Sequence, residues 1–196
     1  SYPVDGWKDI DRNGKYLVTG TPCQIDSFRY YMKKMRLPEE NFILLDFFCH
    51  GVPSMLAWQK YCKDVEKRLG EKIAYASWRN KWDYGWHDSW IIGIDGKKHG
   101  EKVDWHESYN LLIRGKKTFI QSRFTQGDKF FRLFLCDQCL GRQCYFKCKY
   151  KYDKSSADIR IGDLWGKTYQ DNEDGVGAAI AFTEKGKKIS NECDCT

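Results

Sequence analysis

Apolar positions change their spacing several times along the chain, and each change marks an element. Tyr16-Leu17-Val18-Thr19-Gly20 is a short apolar run that reads as a buried strand. Thr21-Pro22 then reads as a helix start, with Thr at the cap and Pro in the first turn. Ile25, Phe28, Met32 and Met35 follow at helical spacing, giving that helix one apolar face, and Pro38 and Asn41 end it. Phe42 to Cys49 is a second apolar strand. Gly51 and Pro53 turn the chain into a second helix that runs to about Leu69. Trp58, Cys62, Val65 and Leu69 form its stripe, and Gly70 fits the C-cap position. Strand, helix, strand, helix with apolar strands predicts a parallel βαβ unit with a right-handed crossover.

The middle of the chain is different. Ile73 to Arg79, Trp90 to Ile94 and Val103 to Glu107 read as strands, expected to be antiparallel, with Asp95-Gly96 as a hairpin turn signal between two of them. A helix is expected around Phe130 to Leu135, then a basic loop from Cys136 to Cys148. Asp158 to Gly166 reads as a strand ending in a tight turn, and Gly177 to Phe182 as a last strand before a polar tail. The expectation is an α/β fold of βαβ units with a mixed sheet, an antiparallel Trp-rich section and a Cys-rich loop. It is read as a single domain over residues 1–196.

Composition changes this picture mainly through cysteine. A chain of 196 residues buries a core without covalent staples, yet it carries nine cysteines, an odd number that excludes complete internal pairing. The start, Ser1 to Gly6, has no basic segment leading into an apolar run, and the longest apolar stretches are too short to span a bilayer. A reducing cytoplasm is the expected setting, where clustered cysteines bind metal or do redox chemistry more often than they pair. The net charge of +6 suits anionic partners, such as nucleotide phosphates or acidic redox proteins, as well as an ordinary solvated surface. Aromatic residues make up 16% of the chain, which suits either a site that stacks flat rings or a well-filled core.

The thiols fall into groups. Cys23 and Cys49 each lie just beyond the C-terminal end of a predicted parallel strand, where ligands of open α/β sheets gather. Cys23 also lies in the first turn of a helix, a position that favours the thiolate form that binds metal. Read alone, the pair is either a site or two inert, buried thiols. Cys136, Cys139, Cys144 and Cys148 follow C-x2-C-x4-C-x3-C, and four thiols within thirteen residues point to metal. That spacing leaves zinc and iron–sulfur both open. Cys62 is assigned to the core, and Cys193 and Cys195 to the tail.

Four ordered strings then carry a resemblance. They are Gly20-Thr21-Pro22-Cys23-Gln24, Cys49-His50-Gly51-Val52-Pro53-Ser54, Cys144-Tyr145 to Cys148, and Asp158-Ile159 to Gly162-Asp163-Leu164-Trp165-Gly166. From about Tyr16 to Ile189 the chain resembles the beta-subunit family of coenzyme F-420 hydrogenases and dehydrogenases. The resemblance implies an iron–sulfur flavoprotein oxidoreductase, with FAD beside a 4Fe-4S cluster held by Cys23, Cys49, Cys144 and Cys148. Cys136 and Cys139 are additional candidate ligands. The family's loop pair is usually C-x2-C, against C-x3-C here, and its members usually carry more sequence before the Gly-Thr-Pro-Cys string. Arg79 to Trp86 resembles the family's Arg-x-Lys-x-x-Gly-Trp segment. It suggests Arg79 and Lys81 as groups that hold phosphate or reduced flavin, and Trp86 as a stacking ring.

Thr21, Gln24, Gly51, Gly162, Asp163 and Trp165 join them as candidate cofactor contacts, and His50 is the candidate proton relay. The implied partners are a ferredoxin or another hydrogenase or dehydrogenase subunit, together with a small hydride donor or acceptor. Neither membrane nor nucleic acid is expected. The alternative is a zinc-stabilised binding module without redox activity.

Overall fold

The computed structural model describes residues 3–78, 91–96, 120–123, 127–169, 171–172 and 174–193. The chain divides into two compact units. The first comprises Ser1–His50, Cys148–Tyr169 and Val176–Thr196; the second comprises Gly51–Lys147 and Gln170–Gly175.

The first unit is built on a four-stranded mixed sheet. Its strands are β1 (Tyr16–Thr19), β2 (Phe42–Phe47), β6 (Ile159–Leu164) and β7 (Val176–Ala181), in the order β1-β2-β6-β7. The first three run parallel and β7 pairs antiparallel with β6. Helix α1 (Pro3–Trp7) precedes β1, and α2 (Pro22–Met35) joins β1 to β2 as the expected βαβ crossover. Ile25, Phe28 and Met32 of α2 pack with Phe42, Leu44 and Ala157 in one buried cluster, with Trp7, Tyr16 and Val18 against it. Met35, the fourth residue of the expected stripe, stays half-exposed in the last turn.

A short helix, α6 (Glu184–Glu192), follows β7 where the sequence reads as a polar tail. Its anchors are polar rather than apolar. Thr183 Oγ1 accepts from Gly186 N and donates to the buried Asp158 carboxylate at 2.8 Å. Gly186 lies so close to the Asp158 carbonyl that no Cβ fits there.

The second unit holds an antiparallel sheet of β3 (Ile73–Trp78), β4 (Ile91–Gly96) and β5 (Ile120–Arg123). It also holds helices α3 (Met55–Leu69), α4 (Lys129–Leu135) and α5 (Arg142–Lys147). Gly70 caps α3 in the left-handed conformation, as expected. Asp95 and Gly96 are not a turn. They continue β4 opposite Tyr75 and Ile73, with Glu71 filling the space beside Gly96. Of the expected α3 stripe, Val65 is buried and Trp58 and Leu69 pack against the core, but Tyr61 is buried where Cys62 was expected, and Cys62 is only half-buried. Tyr61 belongs inside because its hydroxyl reaches the buried Asp128 carboxylate at 2.8 Å, while its ring stacks with Trp58 and packs on Phe130. Within the expected Cys136–Cys148 loop, α5 forms one short helix that carries Cys144. The expected strand Val103–Glu107 lies outside the described residues.

Candidate functional site

In the first unit, parallel pairing sets the site. Thr19 pairs with Leu45, and Gly20 N donates to Leu45 O, so β1 and β2 release the chain at the same edge of the sheet. Cys23 follows as the second residue of α2 and is exposed; Cys49 lies two residues beyond β2 and is half-buried. The start of α2 is organised by its own polar groups. Gln24 Oε1 accepts from Thr21 N at 2.9 Å, the Thr21 hydroxyl lies 3.3 Å from Cys23 Sγ, and Ser27 Oγ donates to Cys23 O. Thr21 and Gln24 thus present Cys23 by capping the helix that carries it. His50 is exposed beside Cys49.

Cys148 opens the returning segment of this unit and is half-buried. Its neighbour Lys149 forms an ion pair at 3.2 Å with Asp26, one turn beyond Cys23 on α2. Asp26 also accepts from Ser156 Oγ at 2.6 Å. Burial pushes the Asp26 carboxyl up, but the Ser156 hydroxyl and the Lys149 ammonium outweigh it and hold the pKa below the ordinary value.

A second polar knot lies deeper. Asp46 and Arg160 are direct cross-strand partners on β2 and β6, and both are buried. Arg160 Nε and Nη2 meet the two Asp46 oxygens at 2.7 and 2.8 Å, a bidentate pair. The remaining guanidinium hydrogens go to the carbonyls of Tyr150, Tyr152 and Lys154. The Arg160 cation also sits 5.4 Å from the centroids of the Phe48 and Phe182 rings. Breaking such a buried pair by removing one partner costs about 3–5 kcal/mol.

Gly162 has a packing role: a Cβ there would run into the Phe48 ring, the side chain just before Cys49. Asp163 continues β6, and Trp165 follows the strand, half-exposed.

In the second unit, the segment after His50 pairs with the cysteine loop. Pro53 bridges Leu140, Ser54 N donates to Cys139 O, and Gly141 N donates to Val52 O. Gly51 has φ +140°, and a Cβ on it would press on Cys144 and Leu140, so glycine is required for this close approach. Cys144 is half-buried. Cys136 and Cys139 differ although only two residues separate them. Cys136 is exposed at the end of α4, whereas Cys139 is buried and lines a cavity of about 500 Å3 with Ser54, Leu56, Lys60, Tyr61 and Leu133. Burial pushes the Cys139 thiol above its ordinary pKa, which disfavours the thiolate that a metal needs.

Arg79, Lys81 and Trp86 lie outside the described residues. Sequence reasoning missed Asp26, Asp46, Lys149, Asp158 and Arg160, the charged groups that hold the thiol-bearing segments. One signal was available for one of them: Asp46 is the lone charge in the otherwise apolar strand Phe42–Phe47, an arrangement that demands a partner.

None of the eight described cysteines is in a disulfide. Among the described residues, no three His, Cys, Asp or Glu side chains gather closely enough to hold a single metal ion. Soft, uncrosslinked thiols suit an iron–sulfur cluster in kind, because each thiolate of a cluster binds a different iron. Also among the described residues, no helix is long and apolar enough to cross a membrane.

Fold and site together define a mixed α/β protein with thiols outside any disulfide at the carboxyl ends of adjacent parallel strands and a second, thiol-rich segment. The family described as the C terminus of the coenzyme F420 hydrogenase/dehydrogenase beta subunit matches residues 13–194, and the chain belongs to it. That membership gives it an electron-transfer role associated with oxidoreductase subunits. No curated protein matches the chain.

Proposed function

We propose that the chain is the electron-transferring part of an iron–sulfur flavoprotein oxidoreductase. In this reading Cys23, Cys49, Cys144 and Cys148 hold a 4Fe-4S cluster, and a flavin, FAD, binds beside it. When bound, the flavin exchanges two electrons as a hydride and the cluster passes them on singly, so a hydride-type substrate or deazaflavin coenzyme is coupled to a one-electron acceptor. The acceptor is a ferredoxin or a partner subunit.

The supporting observation is the parallel β1–β2 pair, which delivers Cys23 and Cys49 to one edge of the sheet with neither thiol in a disulfide. The chain's own residues have defined tasks here. Thr21 and Gln24 present Cys23, Gly51 lets the backbone approach Cys144, and His50 stands exposed beside Cys49 as a proton relay. Arg79, Lys81 and Trp86 contribute to flavin binding, with Asp163 and Trp165 as further contacts.

The test is anaerobic purification followed by measurement of iron, acid-labile sulfide, zinc and flavin. About four irons and four sulfides per chain are expected. Cys23→Ala and Cys49→Ala should each lower the iron content. Unchanged iron in both variants would show that the 136–148 segment binds metal alone. Zinc without sulfide would establish the structural zinc module instead.

A further inference from the structure

The cluster reading leaves one group without a task. Arg160 is nearly fully buried, yet it supplies hydrogen bonds to three alternate carbonyls, those of Tyr150, Tyr152 and Lys154. These carbonyls begin two residues after Cys148. A segment whose three carbonyls accept from one buried cation is held as a strap rather than as a loose loop. The same guanidinium lies 5.4 Å from the centroid of Phe48, the residue before Cys49. Phe48 is fixed from its other side as well, because its backbone N donates to Ile161 O and its ring lies against Gly162. Asp46 keeps the cation aimed, and Ser155 Oγ donates to Asp46 at 2.6 Å from within the strap's own continuation. One side chain therefore touches the flanks of two thiols, Cys49 and Cys148, that lie about half the chain apart in sequence.

We propose that Arg160, aimed by Asp46, is a positioning residue that fixes the placement of the Cys49 and Cys148 thiols as cluster ligands. The proposal rests on the cluster reading for the identity of the ligand, but the placement of the thiols themselves can be read without metal. Lysine at this position keeps the charge but loses the planar fork, so it cannot serve the carboxylate and three carbonyls together. The strap then loosens while the fold survives.

The experiment compares wild type, Arg160→Lys, Asp46→Asn and Thr183→Val. Thr183→Val removes a hydrogen bond to a different buried carboxylate, Asp158, and so reports general destabilisation. Each chain is melted and followed by circular dichroism. Each is alkylated metal-free with iodoacetamide, with every cysteine read by mass spectrometry. Each is then loaded with iron and sulfide anaerobically and challenged with a chelator. Arg160→Lys and Asp46→Asn should alkylate faster at Cys148 and Cys49 with Cys136 unchanged, and should lose iron roughly tenfold faster than wild type. Thr183→Val should match their loss of melting temperature while keeping wild-type alkylation and iron release.

Equal alkylation of Cys148 in wild type and Arg160→Lys would overturn the proposal. So would the same acceleration in Thr183→Val, or loss of the folded signal in both Arg160→Lys and Asp46→Asn, which would make the pair a folding determinant only. If wild type takes up no iron and sulfide, the cluster reading fails. The alkylation comparison still decides whether Arg160 positions the two thiols.

Discussion

Cys136 and Cys139 show how little spacing alone says about a thiol. Both belong to one C-x2-C string, yet one ends a helix in solvent and the other is packed under Leu133 and Ser54. Because burial raises the Cys139 pKa, it stays protonated at neutral pH, and its thiolate forms only as the pH climbs past the ordinary thiol range. Alkylation at about pH 8 should therefore modify Cys136 many times faster than Cys139, a gap that narrows at higher pH; equal rates would place Cys139 in solvent. The sequence revealed that these residues are thiols but not which of them face water. That depends on Ser54 and Leu133, which meet Cys139 only through the folded backbone. Asp46 was legible as a lone charge in an apolar strand, but its pairing with Arg160 was not. Their pairing requires β6 to lie beside β2 across more than half the chain.

At the scale of elements, β1, α2, β2 and α3 were readable because each carries its own pattern and its own stop. Thr21-Pro22 starts α2, and Gly70 ends α3. Helix α6 was not readable, since Ile189 is the one large apolar residue in Glu184–Glu192 and its attachments are polar. Helix α5 is too short for any period to show. Helix α4 was anticipated, but its anchor was not. The Asp128 carboxylate accepts from Phe131 N at 2.9 Å and from the Tyr61 hydroxyl at 2.8 Å, so one buried residue caps α4 and ties it to α3. Asp128→Ala should cost about 2 kcal/mol or more, since it removes the cap and strands the Tyr61 hydroxyl. Chemical denaturation measures this directly. Tyr61→Phe should cost less, because the cap survives; a larger loss for Tyr61→Phe would reverse that assignment.

For the molecule as a whole, the family was legible in four short strings because each is tied to backbone geometry or to a thiol. Gly51 and Gly162 illustrate the point, one by its φ and its approach to Cys144, the other by its contact with Phe48. The net charge of +6 gives the chain a long-range field suited to an acidic redox partner. Under the proposed function, the association rate with an acidic ferredoxin-type acceptor should fall steeply as ionic strength rises. Stopped-flow measurements over a salt series test this, and a salt-independent rate would mean that the partner docks without using that charge.

The attachment of α6 bears on how the protein can be cut. Lys185 lies 3.5 Å from Asp158 and donates to the carbonyls of Glu39 and Phe42, while Thr183 serves Asp158 from the position just before the helix. Leu44 N and Arg29 complete the ring of donors around that carboxylate. A fragment stopping at Phe182 would look complete as a sheet, yet it would abandon a buried anion after stripping away two of its donors. Expression boundaries for this fold therefore belong beyond Ile189, and a tag or fusion joined at Phe182 would act as a mutation of Asp158, more than twenty residues upstream.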